Sequence, residues 1–266
     1  MDYRSWLIAF ATLGITLAGC NSVTSHSLNQ RFSGAQNSAS FKGKSLIGAT
    51  LNTTDEQGHP QTLKIVNVER DFRDHDLYLY TVLRQQSHNS QWQNLCQPDR
   101  NGMIQAIPLS GQWDKAGNHL DNGQITFACT NSVLVKCLRL GYKPWQQVNG
   151  QSLRDYHQAC TRMLRADYCG DGIAHTQEGT PIDVYDRLNI QRATPNSGMV
   201  FEAAWSPGGA VLLHRTRYPD SLKQLQQECP QKLKAMLHLG RNATDIPQAL
   251  LFNQSIVGYN SFNVRK

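Results

Sequence analysis

The sequence has no apolar run long enough to cross a bilayer. Its uncharged N-terminal stretch, Trp6 to Ala18, has thirteen residues, whereas a spanning helix needs about 20. It also lacks CxxC pairs, a Walker loop, a dinucleotide-binding glycine pattern, and HExxH or GxSxG elements. These absences argue against zinc ribbons, nucleotide-binding folds, zinc proteases and serine hydrolases. Since its charges form no run and no nucleic-acid-binding motif occurs, we predict no nucleic-acid partner.

The first nineteen residues have the composition of an export signal. Arg4 supplies a positive start, the uncharged stretch follows, and Leu17 to Cys20 (Leu-Ala-Gly-Cys) resembles the lipobox of bacterial lipoproteins. The resemblance implies cleavage before Cys20 and lipid attachment to its thiol, and several acyl chains together make such an anchor stable. Asn21, by resemblance to sorted lipoproteins, implies the outer membrane, facing the periplasm or the exterior. The alternative is an ordinary secretory signal with an incidental cysteine.

The rest of the chain divides into a tether and a folded part. Residues 20–42 contain the lipidated cysteine and a Ser, Asn and Gln-rich stretch that buries too little apolar surface to fold. As a flexible coil this stretch would span roughly 25 Å. Residues 43–266 are expected to form a single globular domain. Removal of residues 1–19 leaves the net charge at +6, which favours weak attraction to anionic lipid headgroups or cell-wall polymers.

Cysteine usage predicts three disulfides. Once Cys20 is assigned to lipid, six cysteines remain, namely Cys96, Cys129, Cys137, Cys160, Cys169 and Cys229. An even set in an oxidising compartment is typical of a disulfide framework, although fifteen connectivities are open. One alternative is a zinc site, which the spacing of 8 or more residues does not favour. The other is a catalytic thiol, with Cys160 or Cys169 beside His157 or His175.

The first half of the folded part is predicted to be rich in β-strands. Runs of β-branched, aromatic and aliphatic residues are separated by turns that contain glycine or asparagine, such as Asn101-Gly102 and Ala116-Gly117-Asn118. The predicted strands are Ser45 to Asn52, Leu63 to Glu69, Leu77 to Arg84, Met103 to Leu109, Gln124 to Cys129 and Val133 to Arg139.

The second half mixes helices and strands. Helical spacing of apolar residues predicts a helix from Ser152, its N-cap, to near Arg165. A hairpin is predicted for Val200 to His214, followed by helices over Asp220 to Gln227 and Pro230 to Leu239. The predicted fold class is therefore α+β, a mostly antiparallel β-sandwich or small barrel with a few packed helices, braced by disulfides.

Five segments of the chain carry a family resemblance, namely Pro108 to Asp114, Phe127 to Cys129, Lys136 to Cys137, Gly141 to Trp145 and Arg165 to Gly172. The last of them is the most specific, because it contains the tetrad Ala166 to Cys169 (Ala-Asp-Tyr-Cys). These segments resemble the ADYC domain of exported bacterial proteins and lipoproteins, a family that takes its name from the tetrad. The resemblance covers about residues 100–230. It implies an extracytoplasmic domain but no activity or catalytic residues.

The loop after the tetrad is rich in acidic residues and glycine. It carries Asp167, Asp171, His175, Glu178, Asp183 and Asp186 within twenty residues, with Gly170, Gly172 and Gly179 between them. Carboxylates and an imidazole on such a loop can hold a cation or share protons in hydrolysis. The same residues also make tight turns and cap backbone amides. We favour the turn and expect neither a metal nor a cofactor.

Two further segments invite a functional interpretation. Tyr142 and Trp145, in the sequence Tyr-Lys-Pro-Trp, are a candidate ligand platform, because such rings stack on sugars or cations. The alternative is core packing, which is the more common fate of an indole. The run from His214 to Arg217 is expected to be a solvated strand end rather than an anion site.

Two classes of function follow. The first is a non-enzymatic lipoprotein of the cell envelope, which would be anchored to the membrane by lipid and would bind a protein or a cell-wall polymer, or have a structural role. The second is an extracytoplasmic hydrolase that uses Asp171, His175 and Asp183. We favour the first, because the recognised catalytic signatures are missing.

Overall fold

The computed structural model describes residues 10–11, 43–54, 60–86, 90–237 and 242–256. The predicted lipid-attachment residue Cys20, the tether over 21–42 and all of the signal peptide except Phe10 and Ala11 lie outside these residues. None of the helices in the described part of the chain is long and apolar enough to span a membrane. The chain divides into two compact units, residues 1–114 with 119–136, and residues 115–118 with 137–266.

The elements are named in chain order. The strands are β1 (Phe10–Ala11), β2 (Thr50–Thr54), β3 (Pro60–Arg70), β4 (Tyr78–Gln85), β5 (Trp92–Asn94), β6 (Ala106–Trp113), β7 (His119–Cys129), β8 (Gln147–Val148), β9 (Gln151–Ser152), β10 (Ile182–Asp186), β11 (Val200–Ser206), β12 (Gly209–Leu213) and β13 (Leu251–Ser255). The helices are α1 (Val133–Arg139), α2 (Arg154–Arg165), α3 (Ser221–Glu228) and α4 (Pro230–Met236), with short 3-10 turns at Gly43–Leu46 and Ala243–Asp245.

The first unit is built on one antiparallel sheet. Its strand order is β1-β7-β6-β4-β3-β2, with β5 paired to β4. Side chains of β6 alternate between buried and half-buried, as expected when one face of a sheet covers a core. That core contains Ile65, Val82 and Phe127. The two residues of β1 pair with Thr126 and Ile125 of β7.

The second unit is a four-stranded antiparallel sheet covered by helix α2. Its strand order is β10-β13-β11-β12, and α2 buries Tyr156, Ala159, Cys160 and Met163 in one apolar cluster with Trp205 of β11. The predicted hairpin over Val200 to His214 is confirmed as β11 and β12. The α+β class is also confirmed, and the sheets of the described residues are open rather than closed into a barrel.

One predicted strand is wrong, because Val133–Arg139 forms helix α1. Its β-branched and aliphatic composition favoured a strand, but Ser132 begins a helix by accepting a hydrogen bond at Oγ from the backbone N–H of Val135 at 3.4 Å. Leu134, Val135 and Leu138 are then fully buried. An isolated helix of seven residues is barely stable in water. The burial of its apolar side chains in the folded protein therefore stabilises α1, and the composition of the segment does not reveal that burial.

The start of α2 also differs slightly from its prediction. The helix begins at Arg154 with Leu153 at the N-cap position, and the Leu153 side chain makes no capping hydrogen bond. Ser152 lies one residue earlier and accepts a hydrogen bond from the backbone N–H of Arg154 at 3.3 Å. The predicted helix end near Arg165 is confirmed.

The six cysteines form three disulfides, as predicted. The pairs are Cys96–Cys129 in the first unit, and Cys137–Cys160 and Cys169–Cys229 in the second. The sequence left their connectivity open, and the structure pairs the cysteines consecutively along the chain. Closing loops of this length stabilises a fold by about 3 to 4 kcal/mol per bridge in the chain-entropy picture.

Candidate functional site

The tetrad that follows α2 begins with a tight reversal of the chain at Ala166. This residue ends the helix in the left-handed conformation at φ 51° and is fully buried. Its backbone N–H donates to the Met163 carbonyl at 3.0 Å. This hydrogen bond gives a donor to one of the carbonyls in the last turn of the helix, which lack a partner within the helix. The reversal directs the next two side chains into the interior, where both are 0% exposed.

Asp167 organises the loop that follows. Its carboxylate pairs with Arg162 at 2.5 Å and accepts hydrogen bonds from the backbone N–H groups of Asp171 at 3.1 Å and Gly172 at 3.0 Å. Burial raises the pKa of Asp167, and the neighbouring Arg162 opposes that effect. The ion pair with Arg162 and the two backbone hydrogen bonds stabilise the carboxylate in the interior, because a buried charge is costly unless it is paired and hydrogen-bonded.

Arg162 ties the loop to other backbone segments of the second unit. Its guanidinium donates to the carbonyls of Pro207 and Ala116 and to Asn118 Oδ1. Gln158, one turn earlier on α2, donates to the Gly117 carbonyl at 2.7 Å. The predicted turn over residues 116–118 is thus a docking point for α2.

Tyr168 is at the centre of a second buried network. Its hydroxyl donates to Glu202 Oε1 at 3.0 Å and accepts from the backbone N–H of Arg217 at 2.8 Å, and its ring stacks on Trp205 at 5.2 Å between centroids. Burial, and then the charge of Glu202, raise the pKa of this phenol. The phenol therefore stays neutral and acts as a structural donor.

Arg217, in the loop that follows β12, is the other charged residue of that network. It donates to both carboxylate oxygens of Glu202, at 3.1 and 3.0 Å, and to the Met163 carbonyl of α2 at 2.9 Å. Both charged side chains are at most 1% exposed. The expectation that residues 214–217 form a solvated strand end is wrong for Arg217, because Glu202 supplies a buried partner that sequence distance conceals.

Cys169 closes the tetrad and is joined to Cys229. The catalytic-thiol alternative is therefore excluded, since Cys160 and Cys169 both lie in disulfides. Lys232 donates to the carbonyls of Cys169 at 2.6 Å and Gly208 at 2.5 Å. A Cβ at Gly170 would collide with the Gly208 carbonyl, so only glycine allows the loop to pass this close to the hairpin turn.

The structure separates the candidate catalytic residues into different roles. Asp171 is half-buried and accepts at Oδ1 from the backbone N–H of Ile173 at 2.9 Å. Asp183, on β10, accepts from the backbone N–H and the hydroxyl of Thr194, each at 2.8 Å. The Asp171 contact is the local one expected of a turn residue, whereas Asp183 fixes a segment eleven residues further along the chain.

His175 contacts helix α3 instead. The ring is 5% exposed and lies beside Tyr168, with Nδ1 at 3.2 Å from Gln224 Oε1 and Nε2 at 3.1 Å from Glu228 Oε2. The structure therefore brings His175 to a carboxylate that the sequence analysis missed. Glu228 immediately precedes Cys229, and this adjacency to a bridged cysteine is the signal that could have identified it.

The candidate ligand platform is divided in the structure. Tyr142 is fully buried, and its hydroxyl donates to Asp186 Oδ2 at 2.9 Å. Trp145 is half-buried and borders an open groove. The groove is lined by Pro144, Trp145, Gln146, Gln147, Ser152, Arg154 and Asp155. Only the tryptophan of the pair is available to a ligand.

Sequence reasoning missed three buried charges of these networks, Arg162, Glu202 and Arg217. A signal was present at Glu202, a lone charge within the otherwise apolar strand sequence Val-Phe-Glu-Ala-Ala-Trp. A charge in such a strand needs a partner if the strand is buried.

Comparison with known proteins identifies the family. No curated protein and no solved structure matches the chain. The family model of the ADYC domain matches residues 43–219, more than half of the chain. The match begins well before residue 100, where the visible resemblance began, and so includes the β-rich first unit. The chain therefore belongs to the ADYC domain family.

Proposed function

We propose that this chain is a lipid-anchored protein of the cell envelope whose ADYC domain has a binding or structural role. The main support for the proposal is that six of the seven cysteines form disulfides. Three disulfides account for every cysteine except Cys20, the one that follows the apolar N-terminal stretch. Disulfides of this number are typical of exported proteins.

The contacts of the conspicuous polar residues support a role other than hydrolysis. In the tetrad, Ala166 ends a helix, Asp167 neutralises a buried arginine, Tyr168 bridges a buried ion pair and Cys169 forms a disulfide. Asp171 and Asp183 accept from backbone N–H groups, and His175 lies against α3. A catalytic constellation would instead direct these side chains toward one shared cleft.

The groove beside Trp145 is the surface that suits a binding role best. A half-buried indole lies there with the amides of Gln146 and Gln147 and the charges of Arg154 and Asp155. Aromatic rings stack on the apolar faces of sugars, while amides and charged groups bind hydroxyls. A cell-wall polymer is therefore the proposed ligand class for this groove.

The anchor is tested by comparing Cys20→Ala with the matched variant Ser22→Ala, which keeps the lipobox. The parent and Ser22→Ala should be processed, lipidated and recovered with membranes. Cys20→Ala should lose both lipid and processing before residue 20, because the modified thiol is missing. Normal processing of Cys20→Ala, measured by intact mass, would overturn the proposal.

A further inference from the structure

The chain contains three Asn-Gly pairs, Asn101-Gly102, Asn122-Gly123 and Asn149-Gly150. All six residues are exposed. In such a pair the glycine nitrogen can attack the asparagine side chain, because glycine has no Cβ to hinder the approach. In a folded protein the reaction requires that the glycine N–H and the asparagine carboxamide are not held by hydrogen bonds.

The first pair is held by the turn in which it lies. The Gly102 N–H, which contains the attacking nitrogen, donates to the Asp99 carbonyl at 2.9 Å. The Asp99 carboxylate accepts from the backbone N–H groups of Asn101 at 2.7 Å and Met103 at 3.0 Å. The attacking nitrogen is therefore engaged, and the backbone around it is fixed.

The second pair is held through its asparagine side chain. Asn122 donates from Nδ2 to Gln112 Oε1 at 2.7 Å and accepts at Oδ1 from the backbone N–H of Gln124 at 3.2 Å. The residue lies in the eleven-residue strand β7, which pairs with β6. The carboxamide that would be attacked is thus engaged at both its nitrogen and its oxygen.

The third pair has neither kind of protection. Among the described residues, neither the Asn149 carboxamide nor the Gly150 N–H has a hydrogen-bond partner. The pair forms the tip of the β8–β9 hairpin, with φ of 51° and 76°, as in the type I′ turns that favour this dipeptide. The hairpin has only two residue pairs, so little structure opposes the backbone rotation that brings Gly150 N to Asn149 Cγ.

We propose that Asn149 deamidates spontaneously in the folded protein, whereas Asn101 and Asn122 are protected. A base removes the proton of the Gly150 N–H, the nitrogen bonds to Asn149 Cγ, and the side-chain nitrogen leaves with a proton as ammonia. The product is a cyclic imide. Water then adds to either imide carbonyl and breaks its bond to nitrogen, which gives aspartate or β-linked isoaspartate. One water is consumed and one ammonia released, with no change of oxidation state.

The conversion changes the surface at this hairpin. It adds a carboxylate two residues from Gln147, which lines the groove beside Trp145. The isoaspartate product also places an extra carbon in the backbone between β8 and β9. Water is the sole reactant besides the protein, so the modification does not depend on what the groove binds.

The test is incubation of the full-length protein, with its disulfides intact, at mildly alkaline pH in water labelled with heavy oxygen. Protease digestion in ordinary water and mass spectrometry then measure the three Asn-Gly peptides separately, and the label marks conversion during the incubation. Asn149 should convert about five times faster than Asn101 or Asn122, because the protected pairs must first break a hydrogen bond.

Two controls show whether the folded structure decides this order. In protein that is reduced and unfolded in guanidinium chloride, the three rates should become similar. In the folded protein, Gln112→Ala should speed conversion at Asn122 and leave Asn149 unchanged, because it removes the acceptor of the Asn122 Nδ2 group.

Three results would overturn the proposal. The first is an Asn149 that stays unconverted in the folded protein while the unfolded control converts. The second is an Asn101 or Asn122 that converts as fast as Asn149 in the folded parent. The third is an Asn122 that remains equally protected in Gln112→Ala, since the hydrogen bond would then not be the cause of its protection.

Discussion

Asp167 and Arg162 form an ion pair in the interior of the second unit, with Nη1 and Oδ2 2.5 Å apart and both side chains at most 2% exposed. The aspartate belongs to the family tetrad and the arginine to the helix before it. The pair fixes the loop against α2, because the same carboxylate accepts from two loop amides. The aspartate of the family tetrad therefore has a structural role in this chain.

The first prediction concerns that pair. Asp167→Asn should destabilise the second unit by about 3 to 5 kcal/mol, because it leaves the buried Arg162 charge without its carboxylate counter-charge. Asp171→Asn should cost little and Asp171→Ala about 1 kcal/mol, since Asp171 makes a local turn contact. Urea unfolding of the three variants measures the differences. Equal stability of Asp167→Asn and Asp171→Asn would contradict the structural role of the tetrad.

The second prediction separates the ring of Tyr168 from its hydroxyl. Tyr168→Phe keeps the stacking on Trp205 but removes the donor to Glu202, and should cost about 2 kcal/mol, as expected for a hydrogen bond to a buried charge. Tyr185→Phe is the matched control, because that residue stacks on Phe252 and is only half-buried. If Tyr168→Phe lost no more stability than the control, the Tyr168 hydroxyl would not contribute to the buried network, which would contradict this prediction.

Local patterns predicted much of the fold. The alternation and turn residues of Val200 to His214 gave the hairpin, and helical spacing gave the end of α2 at Arg165. The even cysteine count gave three disulfides, because an exported domain rarely leaves thiols free. The turn contact of Asp171 also follows from residue type, since its carboxylate accepts from the backbone N–H of Ile173. Asp183 instead lies in strand β10 and accepts from Thr194.

Long-range partners could not be predicted. Glu202 and Arg217 are fifteen residues apart in the chain and meet in the core, but a charged residue is usually exposed. Glu228 reaches His175 only through the packing of α3, and α1 is helical because of burial that its composition does not show. The type of a residue can suggest that it needs a charged or hydrogen-bonding partner, but the packing of helices and strands determines which partner it meets.

The third prediction concerns alkaline pH. Burial raises the pKa of Tyr80 to about 12 and raises the pKa of Tyr142 and Tyr168 as well. Below about pH 10 these phenols are neutral in both states, so stability is unaffected. Above it the unfolded chain ionises first, and stability should fall by up to about 1.4 kcal/mol per pH unit for each tyrosine.

Urea unfolding across this pH range, with tyrosinate absorbance of the folded protein, measures the effect. Tyr80→Phe should flatten the decline in the first unit, because it removes one group whose pKa differs between the two states. Ionisation of all tyrosines near pH 10 without unfolding would contradict their burial.

The fourth prediction concerns the groove of the second unit. Trp145→Ala should weaken binding to purified peptidoglycan sacculi about five- to tenfold, because ring stacking contributes on the order of 1 kcal/mol. Trp92→Ala is the matched control, since Trp92 lies in the first unit and is 40% exposed. Co-sedimentation gives the affinities. Equal losses in the two variants, or no binding by the parent, would contradict the groove as a binding surface.

The proposed lipid anchor requires that Cys20 is acylated while the other six cysteines are bridged. The intact mass of the membrane-extracted protein, after alkylation under denaturing, non-reducing conditions, measures both. We expect a chain that begins at Cys20, carries acyl groups and takes up no alkylating agent, because every remaining thiol is in a disulfide. A mass that shows residues 1–19 retained, no acyl groups, or alkylated cysteines would contradict it.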